Sequence, residues 1–165
     1  AGGIGSGSAM FAAMVLGADG VQMGSRFVAS QESSAHVDFK NMIVAADEGA
    51  TDLTLKELTA VRLMKNRFYY EIQKAYKNNA SYTELKNLLG RGRAKKGMFN
   101  GDLDEGELEI GQVSTLIRDI KPVSEIISEI LEDFKLARKR SSKFIFKCNF
   151  NIFSPCCRTY QKAIY

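Results

Sequence analysis

Ala1-Gly2-Gly3-Ile4-Gly5-Ser6-Gly7-Ser8, an apolar run from Ala9 to Leu16, and then Gly17-Ala18-Asp19-Gly20-Val21-Gln22-Met23-Gly24-Ser25-Arg26-Phe27 open the chain. They read as loop, helix, strand, loop and helix start. Ser6 or Ser8 suits the N-cap of the apolar helix, because a short hydroxyl side chain there satisfies a free amide of the first turn. Gly17 ends that helix, and Val21-Gln22-Met23 is a short strand candidate. Gly24-Ser25 then turns the chain into a helical start at Arg26-Phe27-Val28. This alternation is the rhythm of α/β units on a parallel sheet. A helix apolar nearly all round, as Met10 to Leu16 is, is expected to be largely buried.

In such a sheet the Gly2-Gly3 and Gly24-Ser25 turns, one helix and one strand apart, would lie side by side at the carboxyl ends of adjacent strands. Glycines let backbone approach an anion, amides at a helix start point at it, and Ser25 adds a hydroxyl donor. The geometry suits a phosphate ester. Two commoner phosphate motifs do not fit. Gly5-Ser6-Gly7 is followed by Met10 where the dinucleotide fingerprint needs its third glycine, and no Gly-Lys-Ser/Thr is present for a nucleotide P-loop.

Further along, the pattern becomes helical. Ala35 to Ala46 is one candidate, and Val61, Met64, Phe68, Ile72 and Tyr76 recur at helical spacing. Ser81 and Glu84 fit a capping box opening a helix that ends at Gly90. The cleanest stripe is Val123, Ile126, Ile127, Ile130, Leu131 and Phe134 behind Pro122, predicting a well-docked helix. From residue 135 periodicity is lost, and a poorly ordered tail is expected.

The chain has 165 residues, 45% hydrophobic and 25% charged, which excludes collagen-like and disordered classes and suggests about one domain. No apolar run approaches the roughly 20 residues of a membrane helix, so no membrane span is expected and a cytoplasmic location is the default. The cysteines Cys148, Cys156 and Cys157 all fall in the final stretch and cannot frame the fold. Residues 135–165 carry eight Lys or Arg and no acidic residue. Residues 1–134 hold fifteen cations against nineteen carboxylates, a net −4. A nucleic-acid partner is therefore not expected, since the basic portion is a terminal appendage. Two units follow: 1–134 and the basic tail 135–165.

Ala1-Gly2-Gly3-Ile4 and Leu16 through Phe27 closely resemble the C-terminal half of the nitronate monooxygenase (2-nitropropane dioxygenase) family and the related flavin-dependent enoyl-ACP reductases. The likeness continues through Glu32-Ser33-Ser34-Ala35-His36, Leu89-Gly90-Arg91-Gly92-Arg93 and Gly111-Gln112-Val113-Ser114. It ends near Phe134.

That resemblance implies an α/β fold, the C-terminal part of an incomplete (β/α)8 TIM barrel followed by mainly helical segments. It implies non-covalent FMN. Its phosphate would be held by Gly3, with Gly2 beside it, and by Gln22, Met23, Gly24 and Ser25, where the family usually has Thr in place of Ser25. It implies a complete enzyme that oxidises an alkyl nitronate with O2 to a carbonyl compound and nitrite. The family's catalytic histidine and most contacts to the flavin ring lie upstream of the matched stretch. No catalytic residue is therefore assigned here, and the isolated stretch is expected to be inactive. An enoyl-ACP reductase and a non-catalytic interaction remnant are the alternatives. Homo-oligomerisation is left open.

Weaker signals stay structural. His36, near a helix start, reads as a capping or packing residue. Arg91, Arg93, Lys95 and Lys96 read as solvated charge. The acidic residues between Asp102 and Glu109 miss the EF-hand spacing, and no metal site is expected.

Overall fold

The computed structural model describes residues 1–145. Helix α1 (Gly7–Val15) starts where the sequence indicates: Ser6 Oγ accepts the Ala9 N–H at 3.1 Å. It lies along the long helix α6 (Val123–Ile145), the two meeting edge to face at Phe11 and Phe134, ring centroids 5.5 Å apart. Glycine permits this approach, because a Cβ at Gly7 would run into the Ile130 carbonyl and the Phe134 amide. The near-complete burial expected for α1 is not observed. Met14, Val15 and Leu16 are 38%, 68% and 88% exposed, since α6 covers only one side of the helix.

Val21-Gln22-Met23 is not a strand. A strand exists by virtue of its ladder partner, and no described segment pairs with these residues. Helix α2 (Ser25–Val28) follows at the expected place. Helix α3 (Val37–Val44) is capped by His36, whose Nδ1 accepts the Asp38 N–H at 3.3 Å. The His36 ring fills the space over Gly101, where a Cβ could not fit, so the histidine both caps and packs.

The observed sheet is antiparallel: β1 (Thr51–Thr54) pairs with β2 (Val61–Met64) in the register Thr51 to Met64. Leu108–Ile110 lies along β2's other edge, Met64 N–H donating to Leu108 O and Ile110 N–H to Arg62 O. Among the described residues, parallel pairing survives only as an isolated bridge between Ser30 and Lys121. The class is thus α/β with a small sheet.

The helical reading of Val61 through Tyr76 is corrected in its first turn. Val61 and Met64 belong to β2, and helix α4 (Arg67–Lys77) begins only after its N-cap Asn66. Spacing of i, i+3 and i+7 is compatible with either element when a strand runs straight into a helix, and pairing on both edges of β2 decides for the strand. Helix α5 (Tyr82–Leu89) has the capping box foreseen, Ser81 and Glu84 each serving the other's amide, and Gly90 follows at φ +64°.

The basic run is not simply solvated. Arg93 Nε donates to Leu88 and Leu89 carbonyls at the end of α5, its Nη1 donates to Glu105 O, and its guanidinium stacks 4.3 Å from the Phe68 ring centre. Orphan carbonyls at a helix end attract such a donor. Helix α6 runs on past Phe134 to Ile145, so order extends into the expected tail; Lys, Arg, Leu and Ala at 135–140 are good helix formers. The rest of the tail, 146–165, lies outside the described residues.

Two apolar clusters hold the fold. Phe39, Ile43, Met64, Leu108, Ile110 and Ile117 form one, and Leu55, Leu63, Phe68 and Ile72 the other. Phe39 and Phe68 are fully buried, each contributing about 1.5–3 kcal/mol of transfer free energy.

Candidate functional site

The segment 111–133 holds both glycine loops. Gly111 N–H donates to Ser25 Oγ at 3.1 Å, and the two residues are so close that a Cβ on Gly111 would come within 2.7 Å of that oxygen. Two residues on, Val113 covers Gly5, where a Cβ would meet Val113 Cγ2 at 2.6 Å. The loop opening the chain and the loop preceding α2 are therefore seated on positions two apart in one short stretch. This contact pattern depends on three small residues, Gly5, Gly111 and Ser25.

Charge pairs fix the second loop more firmly. Arg26 is buried, and its guanidinium donates to Asp119 Oδ1 at 2.6 Å and Asp119 O at 3.1 Å. Lys121 bridges Asp119 and Glu129. A hydrogen bond from Lys121, aided by the charge of Arg26, holds the Asp119 carboxyl below its ordinary range despite partial burial. Farther along, the Glu32 carboxylate accepts the Val123 N–H at the start of α6, both oxygens at 3.0 Å. Lys40 Nζ ties the same loop through Ser33 O at 2.7 Å. The stretch from Ser25 to Ser33 is anchored along its length.

Gly2 and Gly3 are exposed, at φ +83° and +71°, a left-handed backbone that glycine adopts without strain. No atom lies near where a Cβ would stand on either residue or on Gly24. Gln22 and Gly24 are exposed; Met23 and Ser25 are half-buried. The Gly2-Gly3 bend is linked to Ser25 only indirectly, through Gly5, Val113 and Gly111. A cavity of about 230 Å³ next to it is lined by Gly5, Ser6, Gly7, Arg26 and Asp119 among others, but by none of the six predicted residues.

The bracket residues Gly111, Val113, Asp119 and Asp133 are what sequence reading missed. Gly111 lies 86 positions from Ser25, and no local periodicity reports such a contact. The Gly111-Gln112-Val113-Ser114 motif is the one signal that singles out the segment.

These residues fit an esterified phosphate. Ser25 Oγ accepts from Gly111, so its own proton remains to be donated, and the bare backbone at Gly2, Gly3 and Gly24 can be approached closely. Arg26 is already neutralised by Asp119, so neutral donors would make the contact.

The family model described as nitronate monooxygenase matches residues 1–133. A probable nitronate monooxygenase of Staphylococcus aureus is 31% identical over 134 residues, which cover 79% of this chain and 37% of that protein. The chain thus spans little more than a third of the length of such relatives. Among solved structures, FabK from Thermotoga maritima is 38% identical with a TM-score of 0.80, over 87% of this chain and 45% of that one. A nitroalkane oxidase from Streptomyces ansochromogenes is 26% identical with a TM-score of 0.65, over 84% and 39%.

Proposed function

Because the chain belongs to the nitronate monooxygenase family, we propose that residues 1–134 are the C-terminal part of a (β/α)8 barrel and anchor the phosphate of FMN in an oxidoreductase that oxidises alkyl nitronates with O2. The tail 135–165 differs from residues 1–134 in charge, although α6 runs across the boundary without a break. The observation that carries the reading is the common seat of the two glycine loops, Gly5 on Val113 and Ser25 on Gly111.

In this reading Gly3, with Gly2 beside it, and Gln22, Met23, Gly24 and Ser25 hold the phosphate. FMN, when bound, supplies the redox chemistry. The contribution of these residues is entropic. A phosphate fixed at one end limits how the attached ring can translate and turn, and thereby presents it to substrate. Ser25, held by Gly111, donates its hydroxyl proton in a fixed direction. The Arg26–Asp119 pair keeps the turn before α2 from moving when the anion arrives.

A flavin-dependent enoyl-ACP reductase is the second reading, favoured by the higher likeness to FabK than to the nitroalkane oxidase. Oxygen-dependent consumption of a nitronate, set against NAD(P)H-dependent enoyl reduction, separates the two.

The anchoring itself is tested by titrating the purified chain with FMN and following flavin fluorescence. Saturable quenching weakened by Ser25→Ala is expected. Absence of saturable binding, or binding indifferent to both Ser25→Ala and Gly3→Val, would overturn the assignment.

A further inference from the structure

We propose that the exposed face of α6 is where two copies of this chain pair, their α6 helices antiparallel about a two-fold axis level with Phe134. One side of α6 is already taken. Ile130, Asp133 and Phe134 meet α1, and Ile126 is fully buried. On the opposite side Glu125, Ser128, Glu132, Lys135, Lys139 and Lys143 recur every three or four positions, and all six are exposed. That stripe is acidic before Phe134 and cationic after it.

The stripe is not satisfied within the chain. Among the described residues, the ion pairs of α6 are Arg140 with Asp133 and Glu129 with Lys121, which leaves Glu125, Glu132, Lys135, Lys139 and Lys143 without one. No Asp or Glu follows position 133, so no later acidic side chain serves the lysines. The helix dipole favours cations only in the last turn, where Lys143 stands, and does not account for Lys135 or Lys139.

The two signs select the occupant. A lipid surface or an acidic protein would attract the second half of the stripe and repel the first, whereas an antiparallel copy answers both. Glu125 and Lys143 stand at equal distances either side of Phe134, and Glu132 and Lys135 do so to within one position. Antiparallel pairing therefore sets Glu125 opposite Lys143 of the second copy and Glu132 opposite Lys135 of the second copy, and the two-fold axis makes each pair occur twice. A parallel pairing would set like charges together along its whole length, so charge fixes the orientation. Leu131, 46% exposed and about one turn from the axis, adds apolar surface for the facing helix to cover. Exposed ion pairs are individually weak, so the dimer is one that depends on concentration and salt. The face shares no residue with the glycine loops and stands independently of the flavin reading.

The test is sedimentation equilibrium of the full chain with reductant present, so that no disulfide links the copies. A monomer–dimer equilibrium weakened at about 0.5 M salt is expected. Glu125→Lys/Glu132→Lys and Lys135→Glu/Lys143→Glu, each alone, should weaken it roughly tenfold or more, because every pair becomes a repulsion. An equimolar mixture of the two variants should dimerise again, as should one chain carrying all four substitutions, since both restore opposite charges across the axis. Circular dichroism verifies that the variants are folded, and the salt dependence of the parent chain tests the proposal without them. A monomer at every concentration, a dimer indifferent to salt or to the reversals, or a mixture that does not recover overturns it. Masses that grow beyond the dimer do so too, because they report an open head-to-tail contact. A monomer captured by phosphatidylserine vesicles or by poly-glutamate assigns the cationic half to lipid or to an acidic protein, and equally overturns it.

Discussion

Asp133 in the middle of α6 accepts both the main-chain N–H and the hydroxyl of Ser8, each at 2.7 Å, and so clamps the first turn of α1 to a helix 125 residues away. One carboxylate serves two donors, and it is the longest-range polar tie in the molecule's described part. Replacing Asp133 by Asn removes a charge-assisted acceptor. The side chain is about a third exposed, so screening limits the expected loss to about 1 kcal/mol, read as a lower midpoint in urea unfolding.

The same pair predicts a pH effect. Hydrogen bonds from Ser8 hold the Asp133 carboxyl below its ordinary value. A carboxyl lowered in the folded state stabilises it above the unfolded value, and that contribution is lost as pH falls through the folded value. The stability difference between the parent chain and Asp133→Asn should be full at neutral pH and shrink below about pH 4. A difference that grew on acidification would contradict the clamp.

Gly7→Ala places a methyl group against the Ile130 carbonyl and the Phe134 amide. Backbone there cannot step aside as a side chain would, and α1 must lift from α6. A loss of about 1–3 kcal/mol is expected by chemical denaturation. Helix propensity alone would make Gly→Ala stabilising, so the sign distinguishes close packing from intrinsic preference.

Asn66 joins three elements. Its carbonyl caps α4 by accepting Tyr69 N–H at 2.9 Å, and its amide donates to Leu103 O and Gly106 O, both at 2.8 Å. Asn66→Ala should lower stability by about 2–4 kcal/mol. Asn66→Asp keeps the cap but turns a carboxylate toward two carbonyls, and should be rescued by acid.

Tyr69 donates to Asp52 Oδ2 at 2.7 Å, and burial together with that carboxylate pushes its phenol up to about 12. A raised folded value means stabilisation that is complete below the unfolded value, about 10, and lost as pH rises toward about 12. Tyr69→Phe should therefore be less stable than the parent at pH 8, and the gap should close over that alkaline window. Ultraviolet titration of the phenolate absorbance locates the same ionisation.

Local signals were legible where one or two turns suffice to satisfy the chemistry. Ser6, His36 and Ser81 cap the helices they precede, because a cap is completed within three residues. The strand at Val21–Met23 and the helix through Val61–Met64 were misread. Both depended on what lies beside them, and a short apolar stretch is equally at home in either element.

The caps and glycine-rich motifs of this sequence determine the family and the starts of most helices, and they single out the residues proposed to touch a phosphate. Only the tertiary structure decided that Val61–Met64 is a strand, that Asp133 holds Ser8, and that Gly111 and Val113 seat Ser25 and Gly5 on one stretch of backbone. The reason is the range of the forces. Capping and backbone freedom act within a turn and are written in adjacent letters. Pairing and packing act between residues brought together only when the whole chain buries its apolar surface.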